Sequence, residues 1–165
     1  MKKCIYSVLI TLCPFVFLAQ IQVAEQNESA TSPYAERDFL IIASTKNISE
    51  AFTLAKNASK KTGFKFRDNK LEKDSVIGAT FPIDTCKTFS FEYPCYVARG
   101  RYDDGGYISV EYSNAYDGFQ KGYFIVVAAN GYKDNVEFKD AVKKIKQSYP
   151  KSYVKRTKVY LGCMH

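Results

Sequence analysis

At 165 residues the chain is one domain by length, and its formal charge of +7 comes with a cluster of Lys and Arg near the C-terminus: Lys143, Lys144, Lys146, Lys151, Lys155, Arg156 and Lys158. That basic balance favours an anionic polymer, an acidic partner or an anionic membrane surface over nucleic acid, while a solvated helix face is the preferred account of Lys143, Lys144 and Lys146, which avoid the apolar stripe. The single histidine is the last residue, His165, which excludes a structural zinc site of about four close ligands; no metal or other cofactor is expected.

The chain opens with the basic Met1-Lys2-Lys3, a largely apolar stretch from Ile5 to Leu18, and a small residue at Ala19 or Ala24. This pattern predicts a secretory signal over residues 1–19, alternatively 1–24, and a secreted or periplasmic product with no stable membrane span after cleavage. The apolar run is shorter than the roughly 20 residues a spanning helix needs. Leu12 stands before Cys13 where lipidation wants a small residue. Loss of Lys2 and Lys3 with the signal leaves a charge of about +5. Residues 20–36 read as a flexible, solvated lead-in, and residues 37–165 as one α+β domain with an insert at about 68–122.

Within that domain, Phe39 to Ser44 is a continuous run of apolar and small residues that predicts a strand buried on both faces. A helix follows from about Ile48 to Lys61, with Asn47 and Glu50 at capping-box spacing and Gly63 as its stop. Phe64 to Arg67 reads as a short alternating strand, and Asp68 to Pro94 as irregular. Cys86 lies in that irregular segment and Cys95 directly follows it. An oxidising compartment favours a disulfide between them, which would remove about 2–3 kcal/mol of unfolded-chain entropy; pairing of either with Cys163 stays open.

Next, Tyr96–Tyr102 and Tyr107–Tyr112 flank Asp103-Asp-Gly-Gly106 and predict a β-hairpin that pairs Tyr102 with Tyr107. One face of it carries Ala98, Tyr102, Tyr107, Ser109 and Glu111, the other Val97, Arg99, Arg101, Ile108, Val110 and Tyr112. After a turn-rich linker with Tyr116 and Phe119, a strand over Tyr123–Ala129, a helix over about Val136–Tyr149 and a strand over Tyr153–Leu161 close the chain, with Pro150 ending the helix. Asp134 and Glu137 repeat the capping-box spacing of Asn47 and Glu50. The helix stripes also correspond: Ala51, Leu54, Ala55, Ala58 and Thr62 against Phe138, Ala141, Val142, Ile145 and Tyr149.

Two such strand–helix–strand repeats predict a ferredoxin-like four-stranded sheet backed by two helices, plus the inserted hairpin. Phe39-Leu-Ile-Ile-Ala-Ser44 with Ser49-Glu-Ala-Phe-Thr-Leu-Ala-Lys56, and Tyr123-Phe-Ile-Val-Val-Ala128 with its helix, make the chain resemble the sporulation-related repeat (SPOR) domains of bacterial envelopes. The resemblance covers about 35 residues at each end, separated by an insert of about 55. It implies a non-enzymatic module that binds the glycan strands of peptidoglycan on an open sheet face.

Seven of the thirteen tyrosines lie between Tyr93 and Tyr123, interleaved with Arg99, Arg101 and Lys121. Tyrosine offers a flat apolar face with a polar tip, suited to sugar rings and protein interfaces; cross-strand packing explains the same residues structurally. The candidate ligand contacts are Arg99, Arg101, Tyr107, Tyr112, Tyr116, Phe119 and Tyr123. The expected partner is cell-wall glycan or, alternatively, a protein bound by an inhibitor or immunity-type surface on the Tyr-rich hairpin. No catalytic residue is expected: His165 is terminal, Asp103 and Asp104 suit a turn, and Cys163 has no partner base.

Overall fold

The computed structural model describes residues 32–162, so the signal, the lead-in up to residue 31 and Cys163 lie outside the described residues. The described chain is α+β, with a four-stranded antiparallel sheet, a separate two-stranded ribbon and three helices. In chain order these are β1 (Tyr34–Thr45), α1 (Ile48–Thr62), β2 (Glu72–Asp74), β3 (Gly78–Thr80), α2 (Ile83–Thr88), β4 (Gly105–Tyr112), β5 (Phe124–Gly131), α3 (Val136–Ser148) and β6 (Tyr153–Tyr160). The large sheet has the order β4-β5-β1-β6, with every neighbouring pair antiparallel.

Both long helices start at an Asn cap. The Asn47 side chain accepts from the N–H groups of Ser49 (2.9 Å) and Glu50 (3.2 Å), satisfying two of the free donors of the first turn. The reciprocal half of the expected box is absent, because the Glu50 carboxylate accepts from the Thr45 hydroxyl instead. At α3 the expected cap shifts by one residue. Asn135 accepts from Phe138 N–H at 2.8 Å, while Asp134 forms an exposed ion pair with Lys139. Gly63 ends α1 at φ +75°, a left-handed position that glycine adopts without a Cβ penalty.

The predicted stripes are the buried faces: Ala51, Ala55, Ala58 and Thr62 of α1, and Phe138, Ala141 and Ile145 of α3. They pack on Leu40, Ile108, Val110, Val126 and Ala128 from one face of the sheet. On the other face Phe39, Ile41, Ile125, Val127 and Val159 are covered by Tyr116 and Phe119, from the connection between β4 and β5. Every residue of β5 is therefore buried, and each large apolar side chain so enclosed contributes about 1.5–3 kcal/mol.

Three sequence expectations need correction. β1 begins at Tyr34 and pairs Tyr34, Ala35 and Glu36 with Tyr160, Val159 and Lys158, so the strand extends into the segment read as lead-in. Phe64–Arg67 makes only one parallel bridge, Phe66 opposite Ile108, along the outer edge of β4. The Tyr96–Tyr102 arm of the expected hairpin is not a strand; only β4 forms. Gly100 sits at φ +87°, outside extended backbone, and its Cα faces the Phe39 ring so closely that an added Cβ would lie 3.2 Å from it. The segment therefore folds across the sheet rather than along its edge. The insert does hold an antiparallel pair, formed instead by β2 and β3.

Candidate functional site

β4 carries a bulge. Gly106 faces Ala129 and Ser109 faces Val127, so Tyr107 and Ile108 together oppose the single residue Ala128. Ile108 turns its backbone outward to exchange hydrogen bonds with Lys65 and Arg67, both at 2.8 Å. A side chain reaches the carbonyls of Tyr107 and Val127 here. Arg99 meets them: Nη1 donates to Tyr107 O (2.9 Å), Val127 O (3.2 Å) and Ser109 Oγ (2.9 Å). Its Nη2 donates to Gly105 O at 3.0 Å and its Nε to Asn130 Oδ1 at 2.6 Å. The planar fork of donors makes this possible from one residue that is only 4% exposed.

Beside it, Glu111 is 3% exposed and accepts from Ser109 Oγ (2.6 Å), Tyr116 Oη (3.2 Å) and Tyr96 Oη. Burial raises the Glu111 carboxyl above its ordinary value, against the opposing pull of Arg99 and of the hydroxyls that donate to it. Burial also lowers Arg99 from its usual value and raises the Tyr96 and Tyr116 phenols, so both tyrosines stay protonated donors.

Tyr107 lies between two guanidinium groups. Arg99 stands 3.5 Å and Arg67 3.7 Å from its ring centroid, distances that two cations can share only from opposite faces. Its hydroxyl donates to Asp103 at 2.8 Å, and Arg67 also pairs with Asp103. Above this floor opens a cavity of about 310 Å³. Phe81, Phe89 and Tyr102 supply aromatic walls, Val97 and Ala98 supply apolar ones, and Arg67 and Asn69 stand among the polar lining residues. Asn69 Nδ2 donates to Val110 O, but its Oδ1 is buried and has no hydrogen-bond partner among the described residues. Tyr102 is 63% exposed and stacks on Phe89, with ring centroids 6.4 Å apart and an interplanar angle of 16°.

The Cys86–Cys95 disulfide links the segment that carries Phe81 and Phe89 to the one that carries Val97 and Ala98. Thr80 ties Cys95 to β3: Cys95 N–H donates to its hydroxyl at 3.0 Å, and Phe81 N–H donates to Cys95 O at 2.9 Å.

Of the seven residues expected to contact ligand, only Arg99 and Tyr107 line this cavity. Arg101 lies next to it, its guanidinium 5.0 Å from the Tyr102 ring centroid. Tyr112 is on the opposite, helix-facing side, packed on Phe124 and over Gly78. Tyr116 and Phe119 are buried against Phe39 and each other. Tyr123 lines a separate pocket with Ser44, Tyr153 and Lys155. The other ten lining residues were missed as ligand contacts: the polar Arg67, Asn69, Asp103, Ser109 and Glu111, the aromatic Phe81, Phe89 and Tyr102, and the aliphatic Val97 and Ala98. Glu111 carried a usable signal, since an acidic residue inside an otherwise apolar and aromatic strand must be paired if that strand is buried.

Among the described residues no group of three or more His, Cys, Asp or Glu is placed to hold a metal ion, and no helix is long and apolar enough to cross a membrane. No known family model, curated protein or solved structure matches this chain.

Proposed function

We propose that the protein is a secreted or periplasmic binding module, not an enzyme, that seats a unit of cell-wall glycan in the cavity over β4. The finer reading of the fold behind this is a ferredoxin-like frame. In it, β1, β5 and β6 keep their places, and the second strand is delayed until β4 by a long insert. That insert covers much of the sheet face on which SPOR domains bind glycan, which moves the binding surface to the insert itself. The observation that carries the reading is the cavity's construction: Phe81, Phe89 and Tyr102 line it with rings, and the Asn69 carbonyl is a buried acceptor without a donor among the described residues. Sugar rings present both apolar faces and hydroxyl donors. Arg99 and Glu111 are occupied by one another's surroundings, which suits a rigid floor better than a reacting group.

Sedimentation of the purified protein with peptidoglycan sacculi tests it. Binding should survive moderate salt in part, because stacking is unscreened while Lys and Arg contacts are not. Tyr102→Ala with Phe89→Ala should lower the bound fraction at least fivefold with little change in thermal midpoint. Complete loss of wild-type binding in salt would reduce it to adsorption of a basic protein.

A protein-binding reading is favoured by one feature: Ile83, Phe89 and Tyr93 are exposed on or beside the disulfide-closed segment, as a rigid contact loop would be. Absence of sacculus binding together with a stoichiometric protein partner, lost on Tyr93→Ala, would favour it.

A further inference from the structure

Four of the five arginines have evident partners. Arg37 pairs with Asp104, Arg67 with Asp103, Arg156 with Asp38 in a two-point contact (2.7 and 2.9 Å), and Arg99 fills the bulge. Arg101 is different. It enters no ion pair and makes no side-chain hydrogen bond among the described residues, and its Nε is buried without an acceptor. Instead it is surrounded by rings: Tyr102 at 5.0 Å, Tyr160 at 5.3 Å and Phe91 at 5.5 Å from the guanidinium carbon. The carboxylates nearest in sequence cannot turn to it without breaking other bonds. Asp103 accepts from Tyr107 and Arg67, and Asp104 accepts from Arg37 (3.0 Å) and Asn130 (2.9 Å).

A guanidinium taken partly from water, sided by aromatic faces and given no anion among the described residues is an incomplete contact, and the group that completes it is a carboxylate met by two parallel N–H donors. We propose that Arg101 is the receptor for a carboxylate on the bound sugar, so that the ligand is an acidic saccharide rather than a neutral one. This rests on the glycan reading above through Tyr102, which lines the cavity and flanks Arg101. A sugar ring against Tyr102 thereby brings a ring substituent towards the guanidinium. An acidic peptide would satisfy the cation alone and make no use of the ring walls.

The test follows the Arg101 Nε–Hε signal and the Tyr102 amide of the purified protein by NMR during titration with sodium D-glucuronate, D-glucose and sodium acetate at constant ionic strength. Glucuronate should shift both signals saturably, at concentrations at least tenfold lower than glucose or acetate requires. In Arg101→Gln the Tyr102 amide should lose its response to glucuronate, while the thermal midpoint stays within a degree or two, because no side-chain hydrogen bond is removed. Equal responses to glucose and glucuronate, or a full response in Arg101→Gln, overturn the proposal. So does a tetraglutamate peptide that displaces glucuronate at tenfold lower concentration. Sacculus binding that is undiminished in Arg101→Gln, with no glucuronate response, removes the Arg101 site and leaves the glycan module standing. A specific glucuronate response without sacculus binding does the reverse.

Discussion

Arg99 and Glu111 are joined through one hydroxyl: Arg99 Nη1 donates to Ser109 Oγ at 2.9 Å, and Ser109 Oγ donates onward to Glu111 Oε1 at 2.6 Å. The two charges sit over the covered face of the sheet, where an unmatched one would be costly. Their balance sets a pH dependence. Because burial raises Glu111, the folded protein binds more protons than the unfolded chain between the ordinary value of 4.5 and the raised one. The contribution to stability is complete below about 4.5 and is lost as pH rises through that window. Glu111→Gln removes the titration. The urea-unfolding free energy of wild type minus that of Glu111→Gln should therefore fall from pH 4 towards neutrality; a difference that grows with pH would show that Arg99 and the hydroxyls outweigh burial.

Arg99→Met should cost about 3–5 kcal/mol, since it strands the Glu111 charge and two bulge carbonyls together. The double variant Arg99→Met with Glu111→Leu should recover part of that loss, giving a coupling of roughly 1–3 kcal/mol in a double-mutant cycle. Additive losses would mean that the two groups are independent despite Ser109. Arg99→Lys should recover little, because an ammonium group cannot reach carbonyls of two strands and Asn130 at once.

What could be read from the chain follows the range of the forces involved. Helix faces are set by local spacing, so α1 was legible to within a residue, and seven of the ten stripe residues are buried, with Leu54, Val142 and Tyr149 half-buried. The run at Phe39 announced a two-sided strand for the same reason. The Cys86–Cys95 pair followed from short spacing. The hairpin failed because Asp104-Gly105 is a good local turn signal, whereas the conformation of 96–102 is decided at long range by the Gly100 contact with Phe39 and by the anchoring of Arg99. The cavity was half visible. The grouping of Tyr107, Ser109 and Glu111 on one face was sound, but Asn69, Phe81 and Phe89 reach the site through a disulfide-pinned segment that has no periodic pattern.

Gly100→Ala gives that explanation a direct check. A Cβ there would lie 3.2 Å from the Phe39 ring and 3.4 Å from Asn130 Nδ2, on a backbone at φ +87°. The cost should be about 1–3 kcal/mol from conformation and crowding together. Gly63→Ala shares the positive φ, +75°, but meets nothing within 4 Å, so it should cost only about 1 kcal/mol. Equal losses in thermal unfolding would remove the packing part of the argument.

Tyr102 and Tyr107 separate the two roles an aromatic residue can have here. Had they formed a cross-strand pair, truncating either would weaken the protein similarly. Instead Tyr102 is exposed and touches Phe89 and Arg101, while Tyr107 is buried between two guanidinium groups and bonded to Asp103. Tyr107→Ala should cost about 3–5 kcal/mol, the range for emptying a buried aromatic site. Tyr102→Ala should cost no more than about 0.5 kcal/mol. The sites belong to different contacts, so the double variant should be additive within about 0.5 kcal/mol. Binding should show the opposite order of interest: Tyr102→Ala should lose sacculus sedimentation while remaining folded, and Tyr107→Phe should keep it, because the stacked ring survives and only the hydroxyl bond to Asp103 is lost. A Tyr102→Ala variant that unfolds as readily as Tyr107→Ala would mean that Tyr102 is a structural wall of the cavity and not its open edge.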